Sequence, residues 1–330
     1  MKWHFLILLI AFCSCGNSEK DAGDNLPVEI DFYVAEKKRI YMDELFDKIE
    51  VIPLETTPDC LLQDYPWIAG ITDGNVLMKN DFVGACLFSR KEGRFIHNVG
   101  KKGQGPDEYI LVGGTFCKEK NLMYANRGNT WIGINIETNK VEERVKKPYF
   151  TNLKIAGGVD NPYRLNDSLY MGYINNITGD IKYKIAVFNR NGEAVHLYPN
   201  HLLYPKKNQN EFIYVPGIFY RYKKKLCFYS GIVMDTIYTI KDTYLQARYA
   251  FHFNKKGFPY ENMDSQDFSI LDYTTLRRFM EYDNKLLFTY RAGSFDEGVG
   301  MLPVIGGLLS GWTLWKSMKE RSIFLKTCKM

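Results

Sequence analysis

The chain has 330 residues, of which 45% are hydrophobic and 25% are charged, so it can bury a sizeable hydrophobic core. Its formal net charge is +5 and it contains no run of five or six basic residues, which argues against nucleic acid as a partner. Aromatic residues make up 15% of the chain, a composition that favours β-structure.

The first 27 residues have the pattern of an export signal followed by a polar tether. Lys2 supplies a positive charge, and residues 5–12 (FLILLIAF) form an apolar stretch too short to span a bilayer. The small residue Ser14 precedes Cys15, which resembles a bacterial lipoprotein signal. This resemblance predicts removal of residues 1–14, lipidation of Cys15 and a flexible tether over residues 15–27. An ordinary secretory signal is the alternative.

The five cysteines that follow Cys15 do not form a recognisable site. They are scattered, odd in number and without CxxC spacing, which argues against a zinc site or a disulfide framework. These cysteines are Cys60, Cys86, Cys117, Cys227 and Cys328.

Two kinds of β-hairpin alternate along the chain. Each is a strand, a short polar turn rich in Gly, Asn, Asp or Lys, and a second strand. One kind occurs five times, at residues 68–81, 114–127, 162–174, 219–231 and 278–291. The other occurs four times, at residues 85–100, 131–145, 183–198 and 235–251. Together they give a period of roughly fifty residues.

Four antiparallel strands in each period are the signature of a β-propeller, in which sheets stack face to face around an axis. We therefore predict an all-β fold with one propeller domain at residues 28–291. Five or six blades fit the repeats, and six is the preferred number, with the last blade left incomplete. The segment KIEVIPLET (48–56) is expected to supply the strand that completes the last blade and closes the ring.

Two segments carry a family resemblance. IEVIPLETTPDCLL (50–62) and LFSRKEGRFIHNVGKKGQGPDEY (87–109) resemble the six-bladed β-propeller lipoproteins of Gram-negative gut anaerobes, relatives of the NHL-repeat propellers. The resemblance covers roughly residues 28–291. It implies a membrane-tethered, exported propeller in the cell envelope, as an outer-membrane lipoprotein facing either the periplasm or the outside. It implies no reaction and transfers no catalytic residue.

The repeat pattern stops after Tyr290. Residues 301–315 (MLPVIGGLLSGWTLW) are apolar without strand alternation, and the following residues are basic. Residues 292–330 are therefore separated as a divergent or aberrant tail. Three alternatives stay open for it: a divergent closing blade, an interfacial helix, or a tail from a truncated or frame-shifted reading.

The segment GKKGQGPDEY (100–109) contains three glycines and a proline. It lacks the G-K-[ST] ending and the helix that a phosphate-binding loop requires. In a propeller it is instead the crossing from the outer strand of one blade to the inner strand of the next. Its glycines permit positive φ, and Asp107 or Glu108 can accept bonds from backbone amides.

The later crossings, at roughly residues 199–218 and 252–277, are longer and rich in aromatic residues. Long loops on one face of a rigid scaffold are where binding usually occurs, and aromatic rings mixed with polar groups suit a sugar or a peptide. The alternative is that these rings only cap the blade cores. The candidate binding residues are Lys102, Gln104, Asp107, Glu108, His201, Tyr204, Tyr214, His252, Tyr260 and Tyr273.

No catalytic residue or metal ligand is assigned, and no cofactor is predicted. Calcium is the alternative, with oxygen ligands from Asn80, Asp81, Asn126, Asn175, Asn176 and Asp235 near the inner loops. We expect a lipid-anchored binding or scaffold module for a glycan, a peptide or a protein rather than an enzyme. A propeller hydrolase or lyase, with its site at the channel mouth, is the alternative.

Overall fold

The computed structural model describes residues 27–33, 46–62, 66–80, 84–111, 115–150, 158–205, 217–230, 234–260, 263, 272–282, 285–292, 296–305, 308–309 and 313–316. The predicted lipidation site Cys15, its tether and the candidate binding residue Tyr214 lie outside the described residues. Within the described part of the chain, no helix is long and apolar enough to cross a membrane.

The described residues form a propeller-like series of β-sheets, which confirms the all-β prediction. The strands up to the second sheet are β1 (Val28–Asp31), β2 (Trp67–Ile71), β3 (Asn75–Asn80), β4 (Gly84–Ser89), β5 (Phe95–Asn98), β6 (Phe116–Cys117), β7 (Leu122–Arg127), β8 (Thr130–Asn135) and β9 (Val141–Lys146). The third and fourth sheets contain β10 (Val159–Arg164), β11 (Leu169–Ile174), β12 (Tyr183–Asn189), β13 (Ala194–Pro199), β14 (Gly217–Tyr222), β15 (Lys225–Ser230), β16 (Thr236–Ile240) and β17 (Leu245–His252). The last strands are β18 (Thr274–Tyr282), β19 (Lys285–Ala292), β20 (Asp296–Ile305), β21 (Leu308–Leu309) and β22 (Thr313–Lys316). Two 3₁₀ turns are described, at Lys118–Lys120 and Asn254–Lys256.

The strands pair in chain order into antiparallel sheets. The sheets are β2–β5, β6–β9, β10–β13, β14–β17 and a fifth built on β18, β19 and β20. All nine predicted hairpins are present at their predicted places. The turn chemistry explains several of them, because Gly93, Gly192, Asn121 and Asn139 all have the positive φ that these residue types tolerate.

Successive sheets pack face to face. Trp131 of the second sheet contacts Phe188 of the third, with ring centroids 5.9 Å apart. Tyr173 of the third sheet meets Phe228 of the fourth at 5.6 Å, and Phe251 of the fourth is 5.1 Å from Phe288 of the fifth. The hydrophobic core therefore lies between neighbouring sheets, as a propeller requires.

The interface between the fourth and fifth sheets also contains a buried ion pair. The Glu281 side chain is 1% exposed and binds Arg248 through three hydrogen bonds, of 2.6 Å from Nη2 and of 3.1 and 3.2 Å from Nε. The hydroxyls of Tyr220 and Tyr249 donate to the same carboxylate at 2.5 and 3.1 Å. Burial and the nearby carboxylate raise the pKa of the Tyr220 hydroxyl, so it stays protonated and donates.

A similar cluster joins the second and third sheets. The Glu143 side chain is 5% exposed and accepts a hydrogen bond from Tyr124 and another, of 2.9 Å, from Arg190. Arg164 approaches the same carboxylate at 3.6 Å. We call these two groups the Glu281 clamp (Glu281, Arg248, Tyr220, Tyr249) and the Glu143 clamp (Glu143, Tyr124, Arg164, Arg190).

Six blades are not supported, since the described residues form five sheets. The expectation that residues 48–56 close the last blade is wrong. Instead, β1 adds a parallel fifth strand beside β17 of the fourth sheet. Residues 48–56 are irregular and lie against the first sheet, where Glu55 N–H donates to Gly93 O at 2.9 Å and Phe95 N–H donates to the Glu55 carboxylate at 2.8 Å. Pro53 lacks the amide proton that a ladder strand needs.

Part of the predicted tail belongs to the fifth sheet. Strand β20 pairs antiparallel with β19 from Asp296 to Pro303, and β22 pairs with β20. Pairing along a strand depends on backbone hydrogen bonds, so the apolar, non-alternating sequence after Gly300 is compatible with it.

Candidate functional site

The connections between sheets emerge at one edge. In each four-stranded antiparallel run, the second and fourth strands end where the first and third strands begin. The connection from a fourth strand to the next first strand therefore runs along this edge. We call this edge the crossing face, and its described connections include residues 99–111, 200–205 and 253–260.

The first crossing, Gly100–Tyr109, folds back on itself. Gly100 has φ of 67° and donates its N–H to the Asn139 side chain at 2.6 Å. Gly103 N–H donates to Tyr109 O, and Tyr109 N–H donates to Lys101 O, both at 2.9 Å. The Tyr109 ring is 2% exposed and packs in the core between the first and second sheets. The segment is thus an ordered structural turn.

Glu108 is held inside this turn. Its carboxylate accepts the Gly105 N–H at 2.8 Å and binds the Lys101 ammonium at 2.8 Å. The bond to Lys101, followed by the bond to Gly105, lowers the pKa of Glu108. A Cβ atom at Gly103 would meet this carboxylate, so a larger residue there would require the Glu108 side chain to shift. Glu108 therefore has a structural partner set that accounts for its position.

Two arginines of the second sheet fasten the same turn. Arg127 Nε donates to Gly105 O at 3.0 Å, and Arg144 donates to Pro106 O at 3.0 Å and binds the Asp107 carboxylate. The candidate side chains of Lys102 and Gln104 are exposed. A binding role for the four candidates of this turn stays a prediction.

The third crossing places Tyr204 in the interior. This residue is 7% exposed, and its hydroxyl donates to Asn176 O at 2.6 Å. The Asn176 amide is also engaged, because it accepts from Ile181 N–H and donates to Gly179 O and Leu202 O at 3.0–3.1 Å. His201, by contrast, is exposed. The structure therefore separates these two candidates, one in the core and one at the surface.

The fourth crossing brings further candidates together. His252 ends β17 and binds the Glu29 carboxylate of β1. The half-buried Tyr260 meets Tyr204 edge-on, with ring centroids 5.5 Å apart, and burial raises the pKa of its hydroxyl. Tyr273 lies against Phe258 at 5.7 Å. The aromatic residues of the third and fourth crossings thus form one connected group.

Beside this group lies a cavity of about 360 Å³ between the fourth and fifth sheets. Its lining combines apolar side chains with hydroxyl, amide, carboxylate and imidazole groups. The lining residues are Leu202, Met234, Asp235, Phe251, His252, Phe253, Asn254, Gly257, Phe258, Tyr260, Thr274 and Thr275. Two of the predicted binding residues, His252 and Tyr260, are among them.

The polar groups of the cavity lining differ in whether they have hydrogen-bond partners within the protein. The Thr274 hydroxyl bonds the Tyr33 hydroxyl at 2.6 Å, whereas the Thr275 hydroxyl has no hydrogen-bond partner among the described residues. The Asp235 carboxylate accepts from the Thr236 hydroxyl at 2.8 Å and is exposed. Asn254 has φ of 51°, a left-handed conformation that asparagine tolerates better than most residues. This side of the cavity offers hydrogen-bonding groups to a ligand.

A buried lysine lies behind the cavity wall. Lys184 of β12 is 7% exposed, and its Nζ lies 4.0 Å from the Met234 sulfur and 5.7 Å from the Tyr238 ring centroid. Burial lowers the pKa of Lys184 to about 8, and the charge of Asp235 opposes part of that effect. A positive charge thus lies near the Asp235 carboxylate of the cavity lining.

Asn126 and Asn176, two of the six calcium candidates, are engaged in hydrogen bonds within the protein. Asn126 accepts a hydrogen bond from Lys147 at 3.0 Å, and Asn176 is engaged as described above. Asp81 lies outside the described residues. Across the described part of the chain, no group of three or more His, Cys, Asp or Glu side chains is arranged to hold a metal ion.

Residues 27–301 match the family described as "Domain of unknown function (DUF4934)". The chain belongs to this family. No curated protein matches the sequence.

Among solved structures, the computationally designed Ika8 protein aligns with 79% of the chain at 8% identity and a TM-score of 0.37. Dihydro-heme d1 dehydrogenase NirN in complex with DHE aligns with 73% of the chain at 9% identity and a TM-score of 0.40. The chain spans 64% and 55% of the lengths of these two proteins.

Several residues of the site were not singled out from the sequence. Thr275 and Asn254 are ordinary polar residues near strand ends, and no local pattern separates them from surface positions. Lys184 carried a signal, since it interrupts the otherwise apolar strand YKIAVF (183–188). A charged residue in a strand buried on both faces indicates an unusual environment.

Proposed function

We propose that this protein is a binding module that captures a ligand at its crossing face. The observation that supports this proposal is the cavity between the fourth and fifth sheets, which combines apolar walls with polar groups. Concave sites that combine apolar walls with placed polar groups are the usual form of a ligand site. The site also lies on connections, where binding residues concentrate on rigid scaffolds.

Binding is favoured over hydrolysis by the ionisable groups of the lining. Among the described lining residues they are one carboxylate, Asp235, and one imidazole, His252, and the imidazole already binds Glu29. General acid–base chemistry by paired carboxylates needs a second acid within the same site. The hydrolase or lyase considered from the sequence therefore receives less support than a binding role.

The proposal includes attachment to a membrane. Cys15 would be lipidated after removal of residues 1–14, and residues 15–27 would tether the propeller to the cell envelope as an outer-membrane lipoprotein. This assignment, the relation to six-bladed NHL-like lipoproteins and a sixth blade rest on the sequence resemblance. Incorporation of labelled palmitate that is lost in Cys15→Ala would support the anchor, and incorporation that persists in that variant would exclude it.

The binding role is tested with glycan and peptide arrays, using the soluble chain that begins after Ser18. We expect a reproducible ligand class on one array, and we expect Asp235→Asn to reduce its capture. Absence of any captured ligand on both arrays would contradict the proposal.

A further inference from the structure

We propose that the cavity between the fourth and fifth sheets binds a neutral sugar ring, so that the ligand is a glycan. This inference rests on the proposed binding function and names the ligand class for the same site. The volume of the cavity, its aromatic wall, its polar groups and its charge all support a sugar ligand.

The volume suits a compact ligand. A cavity of about 360 Å³ lies at the lower end of the range for small-molecule sites, which is about 300–1,000 Å³. One or two sugar rings fit such a space. An extended peptide bound by strand addition uses a long sheet edge instead, with pockets for alternate side chains.

The aromatic wall is held in place before a ligand arrives. The Tyr260 ring packs edge-on against Tyr204 at 5.5 Å, and its hydroxyl interacts with the Asn176 side chain. Phe258 packs against Tyr273 at 5.7 Å. Fixed rings reduce the ordering cost of binding, and their flat faces match the C–H face of a sugar ring.

The polar groups of the lining suit a ligand with hydroxyl groups better than a ligand with charged groups. The exposed Asp235 carboxylate is an acceptor for hydroxyl donors, and the Asn254 side chain both donates and accepts. The Thr275 hydroxyl has no partner among the described residues, although its residue is 2% exposed. A buried hydroxyl without a partner is costly, and a ligand hydroxyl would satisfy it.

The local charge favours a neutral ligand. Asp235 is accompanied by the Lys184 ammonium behind the wall, and His252 is paired with Glu29. The exposed Asp235 carboxylate disfavours an anionic ligand, and the buried Lys184 charge behind the wall offsets part of the attraction of that carboxylate for a cationic ligand. A sugar without ionised groups has no charge to desolvate on entering the cavity.

The test measures binding of the methyl α-glycosides of glucose, mannose and galactose by saturation-transfer NMR, alongside the glycan array. The tripeptides Gly-Tyr-Gly and Gly-Leu-Gly are the competing class. We expect glycoside binding that falls about tenfold in Asp235→Asn and at least as much in Tyr260→Ala. Tyr149→Ala is the matched control, because Tyr149 is 80% exposed and does not line the cavity.

The outcomes separate the two proposals. Tripeptide or peptide-array binding that depends on Asp235, without sugar binding, overturns the sugar inference and leaves the proposed function intact. Sugar binding that is unchanged in both variants overturns the assignment to this cavity. No binding of any probe overturns both proposals. If Tyr260→Ala does not fold, Asp235→Asn decides, since it keeps the size of the side chain and the acceptor for Thr236.

Discussion

Two interfaces between sheets can be compared, the one between the second and third sheets and the one between the fourth and fifth. They share a buried ion pair but differ at the crossing face. Each contains a buried carboxylate bound by arginine and tyrosine, at Glu143 and at Glu281. At the crossing face, the first interface is filled by Trp131, with the Lys147 ammonium 5.3 Å from its ring centroid. The second interface has a cavity there.

The difference follows from the connections that leave the two sheets. The connection between the fourth and fifth sheets is longer, at residues 253–273 against residues 147–158, and it supplies Phe258 and Tyr260 as cavity walls. The same position in the repeat can therefore be filled for stability or left open for a ligand.

The Glu281 clamp is expected to show the largest effect on stability. Glu281→Leu leaves the Arg248 guanidinium, which is 17% exposed, without its carboxylate, and should cost about 3–5 kcal/mol in the free energy of unfolding. Urea unfolding followed by circular dichroism measures this loss. Adding Arg248→Leu should restore part of the stability, because no unpaired buried charge then remains. A loss below about 1 kcal/mol would mean that the clamp does not hold the two sheets together.

Loss of the carboxylate of the Glu143 clamp should also lower the free energy of unfolding, but by less. Glu143→Leu is expected to cost about 2–3 kcal/mol, since its partner Arg190 is 54% exposed and can return to water. Arg164 keeps a second partner, Asp167, at 2.8 Å. The same urea experiment compares both variants. A larger loss at Glu143 than at Glu281 would reverse the proposed ranking of the two interfaces.

The repeat in the sequence predicted the sheets. It did not predict which N-terminal segment pairs with which sheet. Hairpins follow from local alternation and turn residues such as Gly93 and Asn139, so their places could be read from neighbouring residues. The pairing of β1 with β17 joins residues far apart in the sequence, and a four-residue strand carries little pattern. The segment 48–56 alternates like a strand, yet the backbone N–H and the side chain of Glu55 bind it to the first sheet instead.

The sequence pointed to the face that carries the candidate site, but it did not predict a cavity there. The lengths of the later crossings and their aromatic residues pointed to the edge at which the cavity lies, and the candidates His252 and Tyr260 line that cavity. Residue type alone did not show that the Tyr204 side chain is buried, or that the Glu108 carboxylate is bound to groups of its own turn. Whether a hydroxyl such as that of Thr275 finds a partner depends on long-range packing, which single-sequence patterns do not encode.

The interface between the third and fourth sheets provides an intermediate case, because it buries the lone cation Lys184. We expect Lys184→Met to stabilise the protein by about 2 kcal/mol at pH 7, since the folded state lowers the pKa from 10.5 to about 8. The unfolded chain binds this proton up to higher pH, so wild-type stability should rise between pH 8 and 10.5. The advantage of the variant should be full below pH 8 and shrink across that window.

Chemical unfolding at several pH values tests this expectation for Lys184. The exposed neighbour Lys182 provides the control, and Lys182→Met should change neither the stability nor its pH dependence. Wild-type stability that stays flat between pH 8 and 10.5 would show that the amine is better solvated or paired than its position indicates.

The smallest effect concerns two adjacent threonines of the cavity, which differ in their hydrogen bonding. Thr274→Val removes the 2.6 Å bond to the Tyr33 hydroxyl and should cost about 1 kcal/mol. Thr275→Val removes a hydroxyl that has no partner among the described residues. The free energy of unfolding should therefore stay the same or rise by up to about 1 kcal/mol. Thermal unfolding of both variants measures this difference. Equal losses would mean that the Thr275 hydroxyl is already satisfied, and the cavity would then resemble the filled interface beside Trp131 more closely than a site prepared for a ligand.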